Sequence, residues 1–117
     1  MDTKKFGYSL EKIVDSADQL KQVLKSDLQF GDLVLITTLN SVYTVRVLKD
    51  NLYLVSGGWF DKNGLSPFKT GINGCTWGGS IIKMDIIAAC GLCVEFSNRV
   101  VTSPIQKVCL FPHGGEN

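Results

Sequence analysis

Residues 31–55 read GDLVLITTLNSVYTVRVLKDNLYLV, and this stretch decides the fold. Three runs rich in apolar, β-branched and aromatic residues fall at Leu33–Thr38, Val42–Leu48 and Asn51–Val55. Such side chains suit a pleated, half-buried surface. Leu39-Asn40-Ser41 and Lys49-Asp50-Asn51 separate the runs with turn-forming chemistry. The spacing predicts an antiparallel three-stranded meander over about 32–56. In the second run Tyr43, Val45 and Val47 alternate with Thr44 and Arg46. One face of that strand is therefore expected to be buried and the other wet.

Downstream, residues 57–79 read GGWFDKNGLSPFKTGINGCTWGG. They hold seven of the chain's twelve glycines and both tryptophans. Glycine permits positive φ and close backbone approach, so the segment reads as an irregular Gly/aromatic-rich loop. A second β unit is expected over about 80–111. Its strand candidates are Ser80–Lys83, Gly91–Phe96, Val100–Ser103 and Ile105–Phe111. Pro104 is expected to break the third of these, since it has no N–H for a ladder. Met84–Ala89 reads equally as a helical turn or as an extension of the first.

Upstream, Leu10, Ile13, Val14, Ala17, Leu20, Val23, Leu24 and Leu28 recur at steps of three and four. This periodicity predicts an amphipathic helix over about 9–28, with Ser9 as N-cap and Glu11 in the first turn. Its stripe is expected to pack on the β unit that follows, or else to serve dimerisation or the docking of a partner.

Many short strands with tight turns imply a mainly β (α+β) domain, a small, partly open antiparallel barrel with one N-terminal helix across an end or edge. The Gly31-Asp32-Leu33-Val34-Leu35 opening, followed by a tight meander, resembles the start of an SH3-like small barrel. The likeness covers about a quarter of the chain.

Composition bounds the function. A 117-residue chain is the size of one domain, here 1–117. A net charge of +1 argues against a dedicated polycationic surface for nucleic acid or anionic membrane and leaves room for a local basic patch. No N-terminal apolar run reads as a secretory signal, and no window is long enough to span a bilayer. The expected location is cytoplasmic, with the four cysteines as free thiols or ligands. Residues 112–117, polar and glycine-rich, are expected to fray.

Catalytic motifs are missing. His113 is the only histidine and stands in the glycine-rich tail, poor support for a base that must be held in place. Asp32, Asp61, Asp85 and Glu95 form no close acid/base pair in sequence; Asp32 and Asp61 read as turn or cap residues and Glu95 as a solvent-facing strand residue. Residues 71–80 have glycines but neither the G-K-[ST] run nor a following helix start that phosphate binding needs. Cys90-Gly91-Leu92-Cys93 is a single C-x-x-C, and zinc needs four ligands. Cys75 and Cys109, the other candidates, stand alone, and Cys90, Cys93 and Cys109 lie in sequence typical of buried thiols.

The aromatic residues Trp59, Phe60, Phe68 and Trp77, with Lys62 and Lys69, form the candidate binding set. Some must anchor the loop and others can be presented to a partner. Trp59 follows the third strand directly and is expected to pack inward. Trp77, beside Gly78-Gly79, is expected to be presented. The reading is a non-enzymatic binding or regulatory module without cofactor. Its partner is a protein or peptide, with single-stranded nucleic acid as a further candidate and no membrane. Two alternatives stand beside it: a zinc-stabilised small β domain, and an assembly subunit that homodimerises through the N-terminal helix or a sheet edge.

Overall fold

The computed structural model describes residues 18–77 and 81–113. The meander forms as β3 (Leu33–Thr38), β4 (Val42–Val47) and β5 (Tyr53–Gly57). Leu35 lies across from Thr44, and Val45 across from Val55. Tyr43, Val45 and Val47 are buried, as their alternation requires. The β4–β5 turn places Asp50 and Asn51 at φ of 62° and 60°, and the Leu52 N–H donates to the Lys49 carbonyl. Two successive positive φ values match the right-handed twist of the flanking strands, and Asp and Asn tolerate them better than most residues.

The remaining strands are β1 (Asp18–Leu20), β2 (Gln22–Leu24), β6 (Phe68–Thr70), β7 (Ile72–Trp77), β8 (Ile81–Lys83), β9 (Ile86–Ala89), β10 (Cys93–Phe96) and β11 (Ile105–Phe111). A short helix, α1, spans Gly58–Lys62. The strands form three antiparallel sheets: six strands in the order β1-β11-β3-β4-β5-β6, three in the order β10-β7-β8, and the pair β2-β9. Among the described residues they do not close into a barrel.

Two bends carry the chain from the large sheet into the smaller ones. β1 pairs with β11, and after Lys21 the chain turns so that β2 pairs with β9. The Lys21 carbonyl, freed by the bend, accepts the Cys90 N–H at 2.8 Å. β6 pairs with β5, and after Gly71 the chain becomes β7, between β10 and β8. There the Gly71 carbonyl accepts the Ser97 N–H at 2.9 Å. Each corner thus satisfies the backbone group it exposes.

One apolar cluster is shared by all three sheets. The large sheet gives it Val34, Ile36, Val45 and Val55; the others give Val23, Ile87, Val94 and Phe96, all without exposed surface. Ile86–Ala89 pairs antiparallel with β2, which makes it a strand of its own, and all four of its residues are buried.

Three expectations need correction. The part of the expected 9–28 helix at residues 9–17 lies outside the described residues. Over 18–28 the chain is β1, β2 and a single 3-10 turn at Lys25–Asp27. Ladder bonds to β9 and β11 override the helical period there, with Val23 set across from Ala88. The segment 57–79, read as an irregular loop, holds α1, β6 and β7. Its Gly74 is a strand residue at φ 143°, and a Cβ there would collide with the backbone of Lys83 on the neighbouring chain segment. The expected strand Val100–Ser103 reduces to one bridge, Val101 to Glu95.

Candidate functional site

The aromatic set is built from the end of β5. Gly57 sits at φ 102°, ψ 177°, a region open essentially to glycine alone. A Cβ on it would strike the Val42 carbonyl. The turn is tied by the Gly57 N–H, which donates to Asp61 Oδ1 at 3.0 Å and to Ser66 Oγ at 3.2 Å. Asp61 is thus held in turn chemistry.

The turn drives Phe60 into the core, where it has no exposed surface. Its ring meets Phe96 edge-on at 5.1 Å, stacks on Phe68 at 5.4 Å and meets Trp59 edge-on at 5.3 Å. The Trp59 N–H of the main chain donates to the Tyr43 hydroxyl at 3.3 Å. Phe60, a candidate contact by sequence, is therefore a core anchor. Phe68 is half-buried beside it. Trp59 lies at the rim, 38% exposed, because Phe60 and not Trp59 takes the inward position of α1.

Trp77 is elsewhere. It ends β7 in the three-stranded sheet and is 66% exposed. Two large apolar side chains of the same hairpin are exposed with it: Ile82, across from Thr76, and Met84. Sequence reasoning missed both. Their signal was the apolar run beginning at Ser80, directly after the Trp77 stretch.

The two candidate cations are exposed but do not cover a ring of the set. Lys62 is on α1, and Lys69 projects from the face of β6 opposite to that of Phe68. A cation–ring contact occurs instead between Lys49 Nζ and Phe30, 5.4 Å from the ring centre.

The polar candidates are mostly structural. Asp32 is buried, and both carboxylate oxygens accept backbone N–H groups: Gln29 on Oδ2 and His113 on Oδ1, each at 2.9 Å. His113 was expected to fray; it is pinned instead, with its ring against Gly31. Residues 114–117 lie outside the described residues. Glu95, expected to face solvent, is half-buried and accepts from Asn73 Nδ2 at 2.8 Å. Asp85 is exposed in the turn before β9.

The structure does not gather the cysteines. Cys75 and Cys109 are buried, Cys93 is half-buried and Cys90 is exposed; none is disulfide-bonded. Burial pushes the Cys75 thiol up to about 11; nearby Cys93 adds to the rise, and a hydrogen bond with the Ala89 backbone opposes it. Burial also raises Cys93. Metals and electrophiles react with thiolates, so these two thiols are held in their unreactive form. Among the described residues no three of His, Cys, Asp and Glu cluster so as to hold a metal ion. No described helix is long and apolar enough to cross a membrane.

No known family model, curated protein or solved structure matches the chain.

Proposed function

We propose that the chain is a non-enzymatic binding or regulatory module, and that its partner, a protein or peptide, meets the β7–β8 hairpin at Trp77. The observation that carries the reading is the 66% exposure of that indole. Ile82 and Met84 are exposed on the same hairpin, but the register sets Ile82 across from Thr76 and so on the face opposite to the indole; the reading rests on Trp77 itself. Tryptophan offers a large rigid face that loses little side-chain freedom on contact. Small β domains, including the SH3-like barrels that the Gly31–Leu35 opening resembles, present partners with loops and one face. A protein or peptide is favoured over single-stranded nucleic acid because Lys62 and Lys69 stand on other elements, and Lys83 is the cation that the hairpin itself carries.

The test pans a displayed random-peptide library against the chain and titrates recovered peptides against wild type and Trp77→Ala. The expected loss on Trp77→Ala is at least about tenfold, as for a central aromatic contact. Equal affinity, with both proteins folded, refutes the site. A parallel titration with oligo-dT checks the other partner class: binding that weakens steeply with salt would favour nucleic acid.

A further inference from the structure

The dipeptide Asn-Gly occurs twice, at Asn63-Gly64 and at Asn73-Gly74. It carries its own reactivity. The main-chain nitrogen after an asparagine can attack that residue's carboxamide carbon, and a following glycine, with no Cβ, leaves the nitrogen open to do so. The fold treats the two pairs in opposite ways.

Asn73 and Gly74 are locked. They lie in β7, the central strand of its sheet, and Gly74 is buried across from Glu95. Asn73 Nδ2 donates to Glu95 Oε2 at 2.8 Å, and Asn73 Oδ1 accepts the Ser97 hydroxyl at 3.2 Å. The carboxamide can turn toward the Gly74 nitrogen only by breaking both bonds and opening the sheet. Asn63 and Gly64 stand exposed just past α1. A Cβ on Gly64 would meet nothing within 4 Å, whereas one on Gly74 would strike the Lys83 backbone. The ties at Asn63 are local: Nδ2 donates to the Trp59 carbonyl at 2.7 Å, and the Gly64 N–H donates to the Asp61 carbonyl at 3.1 Å. Bringing the Gly64 nitrogen round from the Asn63 ψ of 9° releases one end of a five-residue helix. Exposed helix ends are among the cheapest places to open.

We propose that Asn63 is a site of spontaneous modification, its carboxamide lost by cyclisation onto Gly64, and that the sheet protects Asn73 from the same reaction. The Gly64 nitrogen bonds to Asn63 Cγ, the Cγ–Nδ2 bond breaks, and the proton that Gly64 gives up leaves on ammonia. The product is a succinimide ring, and water adds to one of its two carbonyl carbons. Opening at Cγ gives aspartate. Opening at the main-chain carbonyl gives isoaspartate, in which the main chain runs through the former side chain. Water is consumed, ammonia is released, and nothing is oxidised or reduced. Either product removes the Nδ2 donor from the Trp59 carbonyl. It also sets a new carboxylate two residues from Asp61, whose Oδ1 holds the Gly57 N–H at 3.0 Å. Isoaspartate further lengthens the path to Leu65, whose N–H donates to the Phe60 carbonyl at 2.8 Å. The modification thus loosens the turn that seats Phe60, and it is independent of the Trp77 surface.

The full chain, incubated at mildly alkaline pH, is mapped by peptide mass spectrometry against a zero-time sample. The Asn63 peptide should gain the mass of –NH2 replaced by –OH, as two separable isomers, and faster as pH rises. Conversion at Asn73 should be at least about tenfold slower in the folded chain, and the two rates should agree within about threefold in unfolding urea. Equal rates in the folded chain overturn the proposal. So does an Asn63 that converts only in urea. Asn63→Gln, whose longer side chain disfavours the ring, should abolish the gain; a gain that persists assigns it to another residue and overturns the site. In the converted fraction the Leu65 amide should exchange faster with solvent, and unchanged exchange there refutes the loosening.

Discussion

Replacing Asp32 with alanine should loosen the end of the chain more than a change at a turn normally does. Asp32 is 6% exposed, and its two oxygens hold two separate segments: Gln29 in the turn before β3, and His113 just past β11. A hydrogen bond to a charged group contributes about 1.5–3 kcal/mol when its donor has no alternative. Here both donor residues are themselves exposed, so water can reach their N–H groups once the carboxylate is gone. That halves the sum, to about 1.5–3 kcal/mol. For a chain of this length the melting temperature should fall by roughly 10 °C. Urea titration gives the total, and amide hydrogen exchange locates it. The His113 and Gln29 amides should lose protection in Asp32→Ala, whereas Val45 and Val55 at the sheet centre should change only as far as global stability does. A loss below about 0.5 kcal/mol, the level of an ordinary surface change, would refute the reasoning. So would unchanged exchange at His113.

Three further outcomes are expected. Phe60→Ala should cost about 3–5 kcal/mol, because the ring is fully buried among Phe96, Phe68 and Trp59, whereas Trp77→Ala should stay within about 0.5 kcal/mol; paired denaturation curves check both, and equal losses would show that Trp77 is core. Gly57→Ala should destabilise by about 2–4 kcal/mol, since its φ of 102° and the Val42 carbonyl both exclude a Cβ; a calorimetric scan matching wild type would contradict this. The folded chain keeps the Cys75 proton up to about 11, against an ordinary value of 9.0, so between these values it binds a proton that the unfolded chain has released. Stability should therefore fall as pH rises through that window and be indifferent to this group below it. Cys75→Ala should flatten the fall, and parallel urea-midpoint profiles for the two proteins would exclude the effect.

The meander was legible because its information is local. Leu33–Thr38 is β-prone in every position, and the turn at Asp50-Asn51 tolerates the required backbone. Strands β1 and β2 were not legible. Each has three residues, and their partners Val108 and Ala88 lie far along the chain. Leu20, Val23 and Leu24 fit a helical step as well as they fit two bent strands, so only the tertiary pairing decides. β7 was hidden by Gly71 and Gly74, which usually punctuate loops but here allow a corner and a close approach. In the site, the burial of Phe60 against the exposure of Trp59 turns on a helix of five residues, too short to show a period. Ile82 and Met84 were visible as an apolar run, but which side chains of so short a strand and its turn are covered is set by tertiary packing.

The position of β11 also sets a timetable. It fills the slot between β1 and β3, yet it is synthesised after every other described strand. A ribosome adding about 5–20 residues per second completes β3 several seconds before Ile105 emerges to pair with Thr38. During that interval the meander can fold on itself, but the apolar edge of β3 has no neighbour and β1 has no sheet to join. An unpaired apolar edge is a template for pairing between chains. Nascent copies on one message are therefore exposed to joining through β3, and chaperones that shield strand edges should matter most for this chain while residues 39–104 are being made.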